Sequence, residues 1–327
     1  MSCRMISRRV FLICIGLLAV SLDAGAQPPN VLRRVGVLAQ DIQPGLLETF
    51  REELRRLGHV EGKSVVIDVR NAEGRSDRLP PLVNDLLRLK VEVIVAVNTP
   101  AAKAAQTATK TVPIVIMRVA DPVKAGLVQS LAHPGANVTG LSFMPDVLGA
   151  KAIEALRQTL PTLSRVAAFY KADNPGALLV VTETERRSAE LGVQFERLPI
   201  RDQSDFPDAF AAAARAGSQA VFVMDDGAMT KLRGPFLKHA AHRSLAVVSI
   251  YKDFAEAGGL FAYGPDLGHV YRRAAHYVDR ILKGMKPSEL PVEQPDAFHF
   301  VINLKTAKAL GLTIPPALLL RADRVIE

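Results

Sequence analysis

Past residue 26 this chain contains no cysteine. Its two cysteines, Cys3 and Cys14, both lie in the first 26 of 327 residues, so the rest can form no disulfide and offers no thiolate to a metal. Tryptophan is absent and tyrosine scarce, with five in all. No stretch of lysine and arginine forms the clustered stripe that nucleic-acid binding requires. The first predicted strand runs into VLAQDI at 37–42, which lacks the Gly-x-Gly-x-x-Gly of a dinucleotide-binding turn. The phosphate-binding Gly-x-x-x-x-Gly-Lys-Ser/Thr is missing, and so is the Gly-x-Ser-x-Gly nucleophile elbow. His239 and His242 stand three apart with basic Lys238 and Arg243 beside them, which reads as a solvated helix face rather than a metal site. These gaps leave no metal, no cofactor and no catalytic residue to assign, and an enzyme is not expected.

Long hydrophobic runs are also lacking. The one substantial run, residues 10–22, is thirteen long and ends at Asp23, short of the ~20 apolar residues that cross a bilayer. Arg4, Arg8 and Arg9 precede it and the small residues Ala24, Gly25 and Ala26 follow it, the pattern of a cleaved signal peptide over 1–26. The segment SRRVFL at 7–12 fits a twin-arginine signal, and an ordinary Sec signal with paired arginines remains the alternative. Loss of the leader takes the formal charge from +8 to +6, because three arginines and one aspartate leave with it. The expected product is periplasmic and soluble, with no stable membrane insertion and no nucleic-acid partner.

What is present is a regular alternation. Apolar, β-branched runs at 35–39, 65–69, 91–97 and 114–119 alternate with amphipathic stretches at 46–57, 79–89, 100–108 and 123–132. After a strand at 138–143 the pattern restarts. Helices are expected at 148–160, 177–191, 205–216 and 229–242, and strands at 166–170, 193–198, 220–224 and 246–251. Near-continuous apolar strands separated by helices predict parallel sheets covered on both faces. A strand at 259–263, a long helix at 268–283, a strand at 299–302 and a helix at 304–310 follow, with at least a helical turn after Pro315. The last stretch is too short for a third lobe and is expected to finish the first two.

These segments resemble a known family. GHVEG at 58–62, IDVRNAEG at 67–74, DPVKAGLV at 121–128, PGANVTG at 134–140, FAEAGG at 254–259 and VINLKTAKALG at 301–311 carry the likeness, in order along the chain. The chain resembles the TrpX-like ABC transporter substrate-binding proteins, a branch of the type I periplasmic binding proteins. The resemblance implies an α/β fold of two doubly wound, Rossmann-like lobes joined by three crossover strands, near 141–143, 261–264 and 289–295. Lobe 1 would hold 31–141 plus about 264–288, and lobe 2 about 142–263 plus 289–327. It also implies a solute-binding protein with ABC permease and ATPase partners, and a monomer is expected. The ligand would be a small organic solute: an amino acid, an aromatic acid or an amide. A periplasmic ligand-sensing subunit, or an exported enzyme on the same fold, is the alternative.

Ligands of open α/β sheets bind beyond the carboxyl ends of the strands. That rule selects Gln40, Asp41, Asn98, Thr99 and Asp121 in the first lobe, and Tyr170, Asn174, Asp225, Asp226 and Tyr251 in the second. Phe143 and Tyr263 fall at crossings. Thr99 and Asp121 are each read either as helix caps or as holders of a ligand. Asp225 and Asp226 suit either a ligand amine or a solvated loop. Tyr170, Tyr251 and Tyr263 offer an apolar face with a polar tip, for a solute or for core packing.

Overall fold

The structure, a computed structural model, describes residues 32–143, 145–224 and 227–327. The expected leader lies outside the described residues. The first half runs β1 (Arg33–Ala39), α1 (Pro44–Arg56), β2 (Val65–Asn71), α2 (Leu79–Arg88), β3 (Val93–Val97), α3 (Thr99–Ala108), β4 (Ile114–Val119) and β5 (Val138–Ser142). Its strands form one parallel sheet in the order β2-β1-β3-β4-β5. Every residue of β3 and β4 is buried, as a strand sandwiched between two helical layers requires.

The second half runs α4 (Pro145–Thr159), β6 (Arg165–Lys171), α5 (Pro175–Ala189), β7 (Gln194–Ile200), α6 (Phe206–Arg215), β8 (Ala220–Met224), α7 (Ala228–Ala241), β9 (Ala246–Ser249), α8 (Lys252–Glu256) and β10 (Phe261–Pro265). Then come α9 (Leu267–Leu282), β11 (Phe298–Asn303), α10 (Leu304–Ala309), α11 (Pro316–Leu319) and β12 (Arg324–Ile326). The second sheet has the order β12-β11-β10-β9-β8-β6-β7, parallel except where β10 meets β11.

The chain passes between the sheets three times among the described residues. It leaves β5 for α4, leaves β10 for α9, and returns after Glu293, which bridges to Leu141 at the edge of the first sheet, to enter β11. Helix α9 follows a strand of the second sheet yet packs on β3, β4, β5 and α1 of the first. Its buried stripe includes Val270, Tyr271, Ala274, Tyr277, Val278 and Ile281, the 3–4 spacing of a core-facing helix. His59 and Asp279 (2.8 Å) and His276 and Glu53 (3.1 Å) tie it to the α1 side. Arg273 grips Glu293 through two bonds of 2.6 Å, which anchors the third crossing to the same helix.

Two expectations are corrected. Residues 123–132 form turns, not a helix. Gly126 takes φ +65° and the amides of Leu127 and Val128 both turn back to the Pro122 carbonyl, so the first turn closes on itself. The C-terminal segment adds β12, a short parallel partner for β11 that the sequence pattern did not signal.

The outer face of the second sheet is sealed by a cluster of aromatics. Phe236 lies 5.0 Å from Phe169, 5.4 Å from Phe206 and 5.0 Å from Phe210, centroid to centroid. Phe236→Ala should cost about 3–5 kcal/mol of unfolding free energy, read as a lower urea midpoint. A loss under about 1 kcal/mol would mean that the face is held by other contacts.

Candidate functional site

The carboxyl ends of β3, β4, β6, β8 and β9 converge on a small cavity of about 10 Å³ between the sheets. It is lined by Asn98, Thr99, Arg118, Ala120, Phe143, Asn174, Gly176, Ala177, Met224 and Tyr251. Two helices aim their N-termini at it from opposite lobes. Asn98 caps α3, its Oδ1 accepting from the Ala101 amide at 3.2 Å. Asn174 caps α5, its Oδ1 accepting from the Gly176 and Ala177 amides at 3.0 and 3.3 Å. Both helix dipoles therefore present positive ends to one small volume.

The cap of α3 is Asn98, not Thr99, which opens the helix as its first residue. The Thr99 side chain is thereby left to face the cavity. Opposite stands Gly176 on α5. A Cβ on Gly176 would come within 2.3 Å of Thr99 Oγ1, so the two lobes meet here at a separation that only glycine allows.

Arg118 supplies a guanidinium to the same wall. It is 4% exposed, its charged end lies 4.9 Å from the centre of the Tyr251 ring, and its φ is +58°. That backbone region costs a non-glycine residue about 1–3 kcal/mol and concentrates at functional sites. The β4–β5 register breaks between Ile116 and Val119, the irregularity that re-aims the Arg118 side chain. Tyr271 sits beside it. Burial pushes the Tyr271 hydroxyl pKa up while the Arg118 charge pulls it back. Phe143 and Tyr251, with ring centres 6.2 Å apart, form the aromatic end.

Five residues expected from sequence line this cavity: Asn98, Thr99, Phe143, Asn174 and Tyr251. The others are used differently. Gln40 is fully buried and donates to Ser76 Oγ (2.7 Å) and to Asp173 Oδ2 across the cleft (3.3 Å). Asp41 pairs with Lys231 of the second lobe at 2.7 Å. Asp121 accepts from the Val123 and Lys124 amides, both at 3.0 Å, and borders an outer cavity. Tyr170 is buried in the hydrophobic core. Tyr263 stacks on Phe298 and accepts from Lys151 Nζ at 3.1 Å. Asp225 and Asp226 lie outside the described residues. Arg118, Gly176 and Met224 were missed. An arginine interrupting the apolar strand at 114–119 was a readable signal for the first, whereas Gly176 and Met224 carried none.

The lobes are drawn together by more than shape. Besides Gln40–Asp173 and Asp41–Lys231, Gln43 donates to Thr230 (3.2 Å) and Lys124 pairs with Glu183 at 2.5 Å. Hydrogen bonds from Lys124 and Arg186 hold the Glu183 carboxyl below its ordinary range. Each ion pair sets a half-exposed lysine on a largely buried carboxylate, which desolvation makes costly to leave unpaired.

A model of the ABC transporter substrate binding protein family matches residues 37–326. The chain belongs to that family. This substrate-binding protein is 25% identical, over 80% of its length and 75% of the relative's, to a tyrosine-binding protein of Clostridioides difficile. A conserved domain protein from Vibrio cholerae superposes with a TM-score of 0.83 at 28% identity, covering 90% of this chain and 99% of that one. A Streptococcus pneumoniae ABC domain in complex with L-Trp gives a TM-score of 0.83 at 25% identity, covering 90% and 100%. The α/β architecture of two mostly parallel sheets is thus the type I periplasmic binding fold. No helix among the described residues of this substrate-binding protein is long and apolar enough to cross a membrane.

Gly176→Val should wedge the lobes apart. The expected result is loss of solute binding and a larger radius of gyration in solution scattering, with the melting temperature of the ligand-free protein little changed. An unaltered radius with intact binding would mean that the Thr99–Gly176 approach does not limit closure.

Proposed function

We propose that this protein is the exported solute-binding subunit of an ABC-type importer, and that it holds a small carboxylate in the interlobe cavity. The class is an amino acid or aromatic acid. The observation that carries this reading is the convergence of two helix N-termini, the Arg118 guanidinium and the Phe143 and Tyr251 rings on one small volume. An anion is favoured where helix dipoles and a guanidinium point together, and an aromatic or aliphatic body is favoured against rings. The caps already occupy the first amides, so the Thr99 hydroxyl and Arg118 are the groups that would meet the carboxylate. The relatives described as tyrosine-binding and L-Trp-bound support the aromatic amino acid end of the class.

At about 10 Å³ the cavity in this form has room for about one water, far below the ~300–1,000 Å³ of a ligand pocket, so a solute is admitted only as the lobes part. The interlobe ion pairs are offset by the desolvation of Asp41 and Glu183. A solute that touches both lobes therefore sets the closed population through its differential affinity. The permease would read that closed shape. An exported, periplasmic setting follows from the leader pattern at 1–26 and from the family.

The test is a melting screen of the purified protein against amino acids, aromatic acids, amides and sugars. At a ligand concentration of 100 times Kd, binding adds about 2.7 kcal/mol, several degrees of melting temperature for a chain of this size. Carboxylates should shift the melt and remain chemically unchanged. Thr99→Ala should then weaken binding by about 10–100-fold, the worth of one hydrogen bond to a charged group, and leave the ligand-free melt nearly unmoved. Shifts confined to sugars or amides would overturn the carboxylate reading.

A further inference from the structure

A second cavity, of about 290 Å³, adjoins the first and shares Thr99, Ala120 and Gly176 with it. Its floor is apolar, with Ala125 from the first lobe and Pro175 and Leu179 from the second. Two lysines border it. Lys124 is engaged, by Glu183 at 2.5 Å and more loosely by Asp121 at 3.9 Å. Asp121 spends its Oδ1 on the Val123 and Lys124 amides. Lys103 differs: it is partly buried, and no carboxylate among the described residues pairs with its ammonium. That ammonium lies beside Gly126, where a Cβ would come within 3.7 Å of it.

The spacing relates the two cavities. Lys103 follows Thr99 by four residues on α3, so it sits on the same helical face, about 6 Å further along the axis. With the lobes parted at the Thr99–Gly176 contact, an anion met by Thr99 and Arg118 in the inner cavity would have its outer end directed along an apolar floor toward an uncompensated cation. Two para carboxyl groups on one benzene ring are separated by a comparable length. Both lobes contribute to the floor, so an occupant of the outer cavity also senses closure.

We infer that the outer cavity is a second anion subsite centred on Lys103, and that the preferred solute carries two acidic groups joined by a short apolar or aromatic spacer. This rests on the proposed carboxylate reading of the inner cavity and specifies the substrate class further. Half-exposed lysines usually serve solubility alone; here a cavity floor, shared walls and helical register act together.

The experiment compares matched probes by isothermal titration calorimetry at fixed ionic strength: terephthalate against benzoate, and 4-carboxy-L-phenylalanine against L-phenylalanine. The two-acid member of at least one pair should bind ten-fold or more tighter. Lys103→Gln should abolish that preference while leaving the single-acid member within about two-fold, and Lys103→Arg should keep it. Equal binding of both members, or a preference that survives Lys103→Gln, overturns the outer subsite and leaves the inner one standing. Failure of all four probes, with carboxylates also silent in the melting screen, overturns both readings together. A melting curve of Lys103→Gln that matches the parent excludes misfolding as the cause.

Discussion

The first sheet cannot bury both faces with the helices that precede β5. Helices α2 and α3 pack on one side of it, while the other is covered by α1 and α9. The second of these arrives only after the chain has built β6 to β10. Strands as apolar as β3 and β4 demand cover on both faces, so the first lobe is completed by a helix that must cross from the second. That demand makes the crossings obligatory and brings the carboxyl ends of two sheets to face one another. The Arg273–Glu293 grip and the Tyr277 hydroxyl bonded to the Pro291 carbonyl then fasten the returning strand to the same helix.

The site is a product of that opposition. Each lobe offers the usual strand-to-helix turn, with an asparagine cap and a proline in the first turn. Alone, either turn is an ordinary helix start. Facing each other across a gap narrow enough to require Gly176, they concentrate positive potential in a small volume. Arg118 adds a full charge from a strained position in a bulged strand, stacked on Tyr251 so that its desolvation is partly offset by the ring. Phe143 comes from the first crossing, just after β5. The contacts that draw the lobes together each join a largely buried side chain to a more exposed one, Gln40 to Asp173, Asp41 to Lys231, Thr230 to Gln43 and Glu183 to Lys124.

Much of this was legible in the chain. Strand and helix periodicity located nearly every element, because a fully buried strand leaves an unbroken apolar run and a covering helix leaves a 3–4 stripe. The rule that ligands sit beyond strand ends selected Asn98, Thr99, Asn174 and Tyr251. The expected helix at 123–132 failed because its apolar positions belong to a turn closed by Gly126. Gln40 and Asp41 also sit at strand ends, yet their side chains are spent on Asp173 and Lys231 of the opposite lobe. A strand-end rule has no means of distinguishing a residue that lines the cavity from one engaged by the other lobe.

The sequence by itself determined the α/β class, the two-lobed repeat and its family, since hydrophobic periodicity and turn chemistry act locally along the chain. Only the tertiary structure decided which strand-end residues meet. Lys103 and Arg118 acquire meaning from neighbours brought by another lobe, a bulge or a cavity wall, and Gly176 matters because a hydroxyl 77 positions away in the chain stands against it. Close approach between distant segments is a property of packing, and a one-dimensional pattern carries no record of it.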